Sequence, residues 1–164
     1  GIEEGILVGV IASLILVIQQ SYRPHTAELG QLPGATTYRN VERFPDATQR
    51  PGLLVYRLDA SLYFANIEHL KDQLDEQLVS QPDLMGLVLD FYPVNRIDSS
   101  AIHGLGDVLS ELAESGVRVA LAGVKGPVRD RMSLGGLAAK VGEENFYMEI
   151  HDAVQSFDSS STES

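Results

Sequence analysis

The chain has no cysteine, no tryptophan and few basic residues: 12 lysines and arginines stand against 23 aspartates and glutamates, giving a formal net charge of −11. Without cysteine the protein can form no disulfide framework and use no thiol chemistry, which agrees with a reducing compartment. Nucleic-acid binding needs a basic patch that displaces counterions, and no basic stripe runs along this sequence. The composition therefore argues against nucleic acid as a partner.

Motifs for the common enzyme chemistries are also missing. The Gly123–Gly126 segment lacks the spacing and the hydroxyl residue of a phosphate-binding loop, and no G-x-S-x-G nucleophile elbow occurs. The four histidines are scattered, with no pair at metal-ligand spacing. Asp59, Asp90 and Lys125 resemble the constellation of a phosphoacceptor receiver, but the second acidic residue beside Asp59 is missing, so we interpret them as polar groups at loop starts. We expect no catalytic site, no metal and no cofactor.

What the chain does have, near its start, is an uncharged apolar run from Gly5 to Ile18. Extended to Tyr22, a helix here would reach about 27 Å, slightly short of a hydrocarbon core of about 30 Å. The flanking Glu3-Glu4 and Arg23 do not fit a signal peptide, and the Arg23 end would face the cytoplasm by the positive-inside rule. We predict a transmembrane helix or its terminal part; the alternative is a soluble helix buried on a partner. Because residue 1 is Gly, we expect a piece of a longer protein or a processed chain.

After this run, prolines and glycines interrupt residues 23–52, which we predict to be a linker with one short edge strand over Thr36–Tyr38. From residue 53 onward, strands alternate with helical patterns, and residues 159–164 are predicted to be a disordered tail. The predicted strands are Leu53–Leu58, Leu87–Phe91, Val117–Val124 and Phe146–Met148, and the predicted helices are Ile67–Val79, Ser99–Gly116, Gly126–Leu134 and a closing helix around Ala153. Such alternation indicates an α/β fold with a mostly parallel sheet flanked by helices.

The stretch with the most chemistry is Asp98-Ser99-Ser100, which opens an amphipathic helix. Its apolar positions recur at helical spacing and predict a core-facing side, formed by Ile102, Leu105, Leu109 and Leu112. The opposite side is polar and consists of Ser100, His103, Asp107, Glu111 and Glu114. Two interpretations stay open: Asp98 or Ser99 merely caps the helix, or exposed Ser100 accepts a regulatory phosphate. Because the neighbouring carboxylates would repel it, such a phosphate would disrupt a contact rather than order the helix.

The segment Asp98-Ser99-Ser100-Ala101-Ile102 closely resembles the Asp-Ser-Ser-Gly signature of STAS domains. This fold is shared by anti-sigma-factor antagonists and the cytoplasmic tails of SulP anion transporters. In the antagonists the second serine is phosphorylated, which maps onto Ser100, while Ala101 stands where they usually have glycine. The resemblance implies an interaction surface at Asp98, Ser99, Ser100, Ala101, His103 and Asp107.

Residues 23–52 resemble the junction between the last membrane helix of SulP transporters and their STAS domain. The matching residues are Arg23, Pro24, Leu29, Gly30, Pro33, Gly34, Tyr38, Arg39, Asn40, Pro45, Pro51 and Gly52. The Leu62–Asn66 run resembles the strand-to-helix entry of the transporter STAS domains. These resemblances imply that residues 1–22 are the C-terminal part of the last transmembrane helix and 53–158 the STAS domain, on the cytoplasmic side of the plasma (inner) membrane.

For function, the resemblance implies a regulatory and protein-interaction domain of a secondary transporter for sulfate, bicarbonate or dicarboxylates. Its first partner would be the membrane body of the same transporter. A regulatory protein partner, homodimer contacts and an unlocated nucleotide site are left open. The alternative is a soluble anti-sigma-factor antagonist that switches by phosphorylation of Ser100, although such antagonists carry no hydrophobic lead.

Overall fold

In the computed structural model, which describes residues 1–22 and 25–159, one six-stranded sheet separates a large helical layer from a small one. The strands are β1 Thr26–Gln31, β2 Tyr38–Asn40, β3 Leu53–Leu58, β4 Gly86–Asp90, β5 Arg118–Ala122 and β6 Phe146–Tyr147. The helices are α1 Ile2–Tyr22, α2 Ile67–Ser80, α3 Ser99–Glu114, α4 Gly126–Leu134, α5 Leu137–Val141 and α6 Ile150–Ser159, with a 3-10 turn at Glu143–Asn145. The α/β class predicted from the alternation of strands and helices is confirmed.

The sheet has the strand order β2-β1-β3-β4-β5-β6, and β3 to β6 are all parallel. Strand β1 runs antiparallel to both of its neighbours, with Thr26 opposite Leu58 of β3. Strand β1 therefore begins where β3 ends. We call this side of the sheet, with the loops that follow β3, β4 and β5, the carboxyl edge.

Both faces of the sheet are covered, which explains why its central strands are almost uniformly apolar. Side chains alternate along β3, so Leu54 and Leu58 pack against the layer formed by α2 to α5, whereas Leu53 and Val55 pack under α6. All five residues of β4 are buried. The core-facing side predicted for α3 is confirmed: Ile102, Leu105, Leu109 and Leu112 are all buried.

One expectation is corrected inside residues 23–52, predicted to be a linker with a single edge strand. Thr26–Gln31 is an inner strand of the sheet, and the edge strand lies at Tyr38–Asn40 instead of Thr36–Tyr38. Ala27 and Leu29 of β1 are buried with the α6 layer. This strand was missed because its stability comes from pairing with β3, while the surrounding prolines and glycines gave the stretch a loop-like composition. Of the predicted tail 159–164, Ser159 ends α6 and the remaining residues lie outside the described part of the chain, as do Arg23 and Pro24.

Helix α1 takes no part in this core. Its stretch Ile2–Gln20 is long and apolar enough to cross a membrane, and none of it is buried in the protein. Only two residues separate Tyr22 from His25, whose carbonyl oxygen accepts a hydrogen bond from the Asp59 amide at 2.9 Å. The apolar helix is therefore joined to the domain at the carboxyl edge.

Candidate functional site

The predicted motif lies at the carboxyl edge, where Asp98 ties two loops together. Its Oδ1 accepts a hydrogen bond from the Ala101 amide at 2.8 Å, so Asp98 is the N-cap of α3. Its Oδ2 accepts from the Phe64 amide at 3.0 Å, in the loop that follows β3. The two loops also pair through their backbones, because the Asp98 amide donates to the Leu62 carbonyl at 3.1 Å. One carboxylate thus fixes both the start of α3 and the neighbouring loop.

Asn66 contributes to the same loop in a way the sequence did not indicate. It occupies the predicted N-cap position of α2, but its side chain makes no capping hydrogen bond. Instead Nδ2 donates to the Ser61 carbonyl at 2.8 Å and Oδ1 accepts from the Tyr63 amide at 2.9 Å. The buried amide therefore shapes the loop that Asp98 holds from the other side.

The polar side of α3 is solvent-facing as predicted, and Ser99, Ser100, His103 and Asp107 are all exposed. His103 Nδ1 lies 2.7 Å from the Ser99 carbonyl oxygen. Ala101 is the exception, since it is fully buried in the core. It lies one turn before Leu105 on the inward side, so it cannot offer atoms to an interaction surface, and its inclusion there is corrected. The surface at the start of α3 therefore consists of Asp98, Ser99, Ser100, His103 and Asp107, without Ala101.

A cleft of about 600 Å³ borders this surface, between the loops after β3 and β4 and helix α4. Arg96 and Arg131 line it together with Tyr63 and Asp98. The two arginines come from a loop and a helix 35 residues apart, so sequence reasoning missed them. Only the tertiary fold, which sets α4 beside the loop after β4, brings them next to the motif.

Asp90 is the one buried acidic residue among the described residues, with 5% of its surface exposed at the end of β4. Burial raises its pKa, while the hydrogen bond from the Tyr92 amide at 3.0 Å and nearby Arg57 oppose that shift. Arg57 is bound to Asp59 through two hydrogen bonds, of 2.6 and 3.0 Å. Lys125 donates to Asn95 rather than to either carboxylate. These residues form local loop contacts, as the sequence interpretation had it.

We expect Asp90→Asn to stabilise the protein at pH 7. The pKa of Asp90 in the folded protein lies above 3.8, the ordinary value for an aspartate. The free energy of unfolding therefore decreases as the pH rises from about 3.8 through the folded pKa, and it stays at the lower level at higher pH. The amide removes the buried charge yet can still accept from Tyr92. Urea unfolding should show a higher midpoint for Asp90→Asn at pH 7 and no difference at a pH below the ordinary carboxyl range. Asp107→Asn, at an exposed site, is the control and should change little at either pH; a lower midpoint for Asp90→Asn would mean that attraction to Arg57 outweighs burial.

Comparison with known proteins settles the family. The STAS domain model matches residues 44–153, two thirds of the sequence. The chain belongs to the STAS domain family. Its relatives include probable sulfate transporter 4.2 of Arabidopsis thaliana, 39% identical over 165 residues that cover 94% of this STAS chain and 24% of the relative. The chain spans about a quarter of the length of the curated sulfate transporters it matches.

Solved structures agree with the sequence relatives. The murine anion transporter Solute Carrier 26 family member A9, in its inward-facing state, matches with a TM-score of 0.83 and 25% identity, covering 95% of this STAS chain and 26% of that protein. The STAS domain of a Vibrio cholerae SulP transporter matches with a TM-score of 0.59 and 19% identity, over 76% of this chain and 94% of that one. Anti-sigma factor antagonists share the fold alone, at 16% and 19% identity over about two thirds of the chain. The family predicted from the sequence motifs is confirmed.

Proposed function

We propose that this chain is the cytoplasmic regulatory and protein-interaction domain of a SulP-type secondary anion transporter carrying sulfate, bicarbonate or a dicarboxylate. In this proposal α1 is the C-terminal part of the last transmembrane helix, and the STAS domain extends from β1 to the end of α6. The supporting observation is the exposed apolar helix α1 joined directly to a STAS sheet. The sulfate transporter and anion transporter matches span 94% and 95% of the chain, so they leave out at most about ten residues and include the C-terminal half of this helix and its junction.

The proposed role is regulation without catalysis, in keeping with homologues that are named as transporters. The first partner is the membrane body of the same transporter, because the domain is tethered to it at the carboxyl edge. Helix α3 begins at that same edge, so its first turn lies on the side of the domain nearest the tether. A charge placed on Ser100 would act where the domain and the membrane body meet.

A soluble phosphorylation switch of the antagonist type shares the exposed Ser100, but it gives no role to α1. Extraction of membranes with alkaline carbonate separates the two functions. The transporter domain stays with the membrane pellet, whereas a soluble switch is released.

Sulfate uptake by the complete transporter tests the regulatory role. We expect Ser100→Glu to change the initial rate of uptake in vesicles, because the added charge lies at the carboxyl edge. Ser100→Ala removes the hydroxyl without adding charge and should leave the rate close to wild type. The matched control Ala113→Glu adds the same charge to an exposed position of the same helix, about 20 Å away. Equal uptake rates for Ser100→Glu and Ala113→Glu would contradict the assignment of Ser100 to a regulatory surface.

A further inference from the structure

Although the chain has a net charge of −11, positive side chains gather in one cleft where α1 joins the domain. This cleft has a volume of about 830 Å³ and lies between the start of β1, the end of β3 and the loop after β2. The positive residues are Arg39, Arg43 and Arg57, and they line the cleft together with His25 and the acidic residues Glu42 and Asp59. We call it the tether cleft.

Two of these arginines are free to bind a ligand. Arg57 is already neutralised, because it donates two hydrogen bonds to Asp59. Arg39 and Arg43 are exposed, and their side chains make no hydrogen bond or ion pair with any residue in the ranges 1–22 and 25–159. Guanidinium groups present planar pairs of donors that match the oxygens of phosphate. The tether cleft therefore offers two unpaired guanidinium groups to an oxyanion, and the exposed Phe44 adds an apolar side chain to its lining.

The position of the cleft points to the source of that oxyanion. His25 is three residues after Tyr22, the last residue of α1, so at most about 11 Å of chain separates them. His25, which lines the cleft, therefore stays close to the level of the lipid headgroups when α1 spans the membrane. Basic residues next to a span on the cytoplasmic side are attracted by anionic lipids of that leaflet.

We propose that the tether cleft binds the phosphate of an anionic phospholipid headgroup through Arg39 and Arg43. The inference rests on the proposed function, since α1 must span the membrane for the cleft to meet lipid. Binding there would hold the carboxyl edge against the membrane surface and restrict how the domain can turn about its short connection to α1.

Calorimetric titration of the complete 164-residue chain in a nonionic detergent tests the proposal. The ligands are dihexanoyl phosphatidylglycerol and dihexanoyl phosphatidylcholine, whose phosphate is balanced by its own choline. We expect saturable binding of the anionic lipid, weakened about tenfold or more by Arg39→Ala/Arg43→Ala. The matched control Lys71→Ala/Lys140→Ala removes the same charge from α2 and α5 and should bind like wild type. Arg39→Lys/Arg43→Lys keeps the charge but loses the fork and should lie between them.

Two further measurements make the outcome decisive. Inorganic phosphate and sulfate are titrated in parallel: if either binds as tightly as the anionic lipid and displaces it, the site takes a free oxyanion and the lipid assignment is wrong. Absence of binding, or binding unaffected by Arg39→Ala/Arg43→Ala, overturns the site itself. Carbonate extraction reports separately on α1, so a chain released from membranes contradicts the proposed function without altering the titration in detergent.

Discussion

Ile102→Asp is expected to unfold the STAS domain. Ile102 is 6% exposed and lies on the inward side of α3, where it packs against the α4–α5 region beside Gly135. An aspartate there would lose the apolar burial and place an unpaired carboxylate in the core. The combined cost of about 4 kcal/mol or more is comparable to the whole stability of many domains. Urea unfolding monitored by circular dichroism is the measurement, and the cooperative transition of the wild type should be absent from Ile102→Asp.

The neighbouring substitution His103→Asp is the matched control, because it adds the same charge one residue further on at an exposed position. It should change the free energy of unfolding by only about 1 kcal/mol, because it removes no more than the exposed contact of His103 with the Ser99 carbonyl. Comparing Ile102→Asp with His103→Asp also tests the candidate site, because the orientation of α3 about its axis that buries Ile102 also exposes Ser100. A stable, folded Ile102→Asp protein would contradict this orientation and with it the exposure of the motif serine.

The elements that sequence reasoning placed well are those whose pattern is local. Leu53–Leu58 is a run of β-forming residues, and the predicted bounds of this strand agree with the structure. Helix α3 is predicted by its capping residue and by the regular spacing of its apolar residues. Strand β1 was missed because its evidence is not local: Ala27 and Leu29 become core residues only when β3 pairs beside them. A strand that depends on pairing with a distant strand cannot be predicted from the residue pattern of a short sequence segment alone.

The same distinction holds for the candidate site. The exposure of Ser100, His103 and Asp107 follows from helical periodicity, so it was predictable from positions along one helix. The tether cleft was not predictable, because Arg39 and Arg43 approach Arg57 only through the antiparallel pairing of β1 with β2 and β3. Nor did the sequence show that Asp98 binds the Phe64 amide as well as its own helix. Contacts between loops depend on the order of strands in the sheet, which the sequence leaves open.

Two glycines of α3, Gly104 and Gly106, should respond to the same substitution with opposite signs. In a helix interior, Gly→Ala normally stabilises by about 0.5–1 kcal/mol because it reduces the freedom of the unfolded chain. Gly106→Ala should show this gain, since a Cβ there meets no atom closer than 3.7 Å. Gly104→Ala should instead destabilise by about 1–3 kcal/mol, because its Cβ would lie 2.6 Å from Cγ1 of buried Ile67.

The physical reason is the close packing of α2 on α3, which leaves no room for a methyl group between Gly104 and the start of α2. Ile67 follows Asn66, so any separation of the helices also moves the loop that Asp98 binds through Phe64. Urea midpoints of both variants give the signs, and faster amide hydrogen exchange at Phe64 in Gly104→Ala would show that the disturbance reaches the motif. If both variants gained stability, Ile67 would have to move aside at little cost, and the start of α2 would be less firmly packed than its burial indicates.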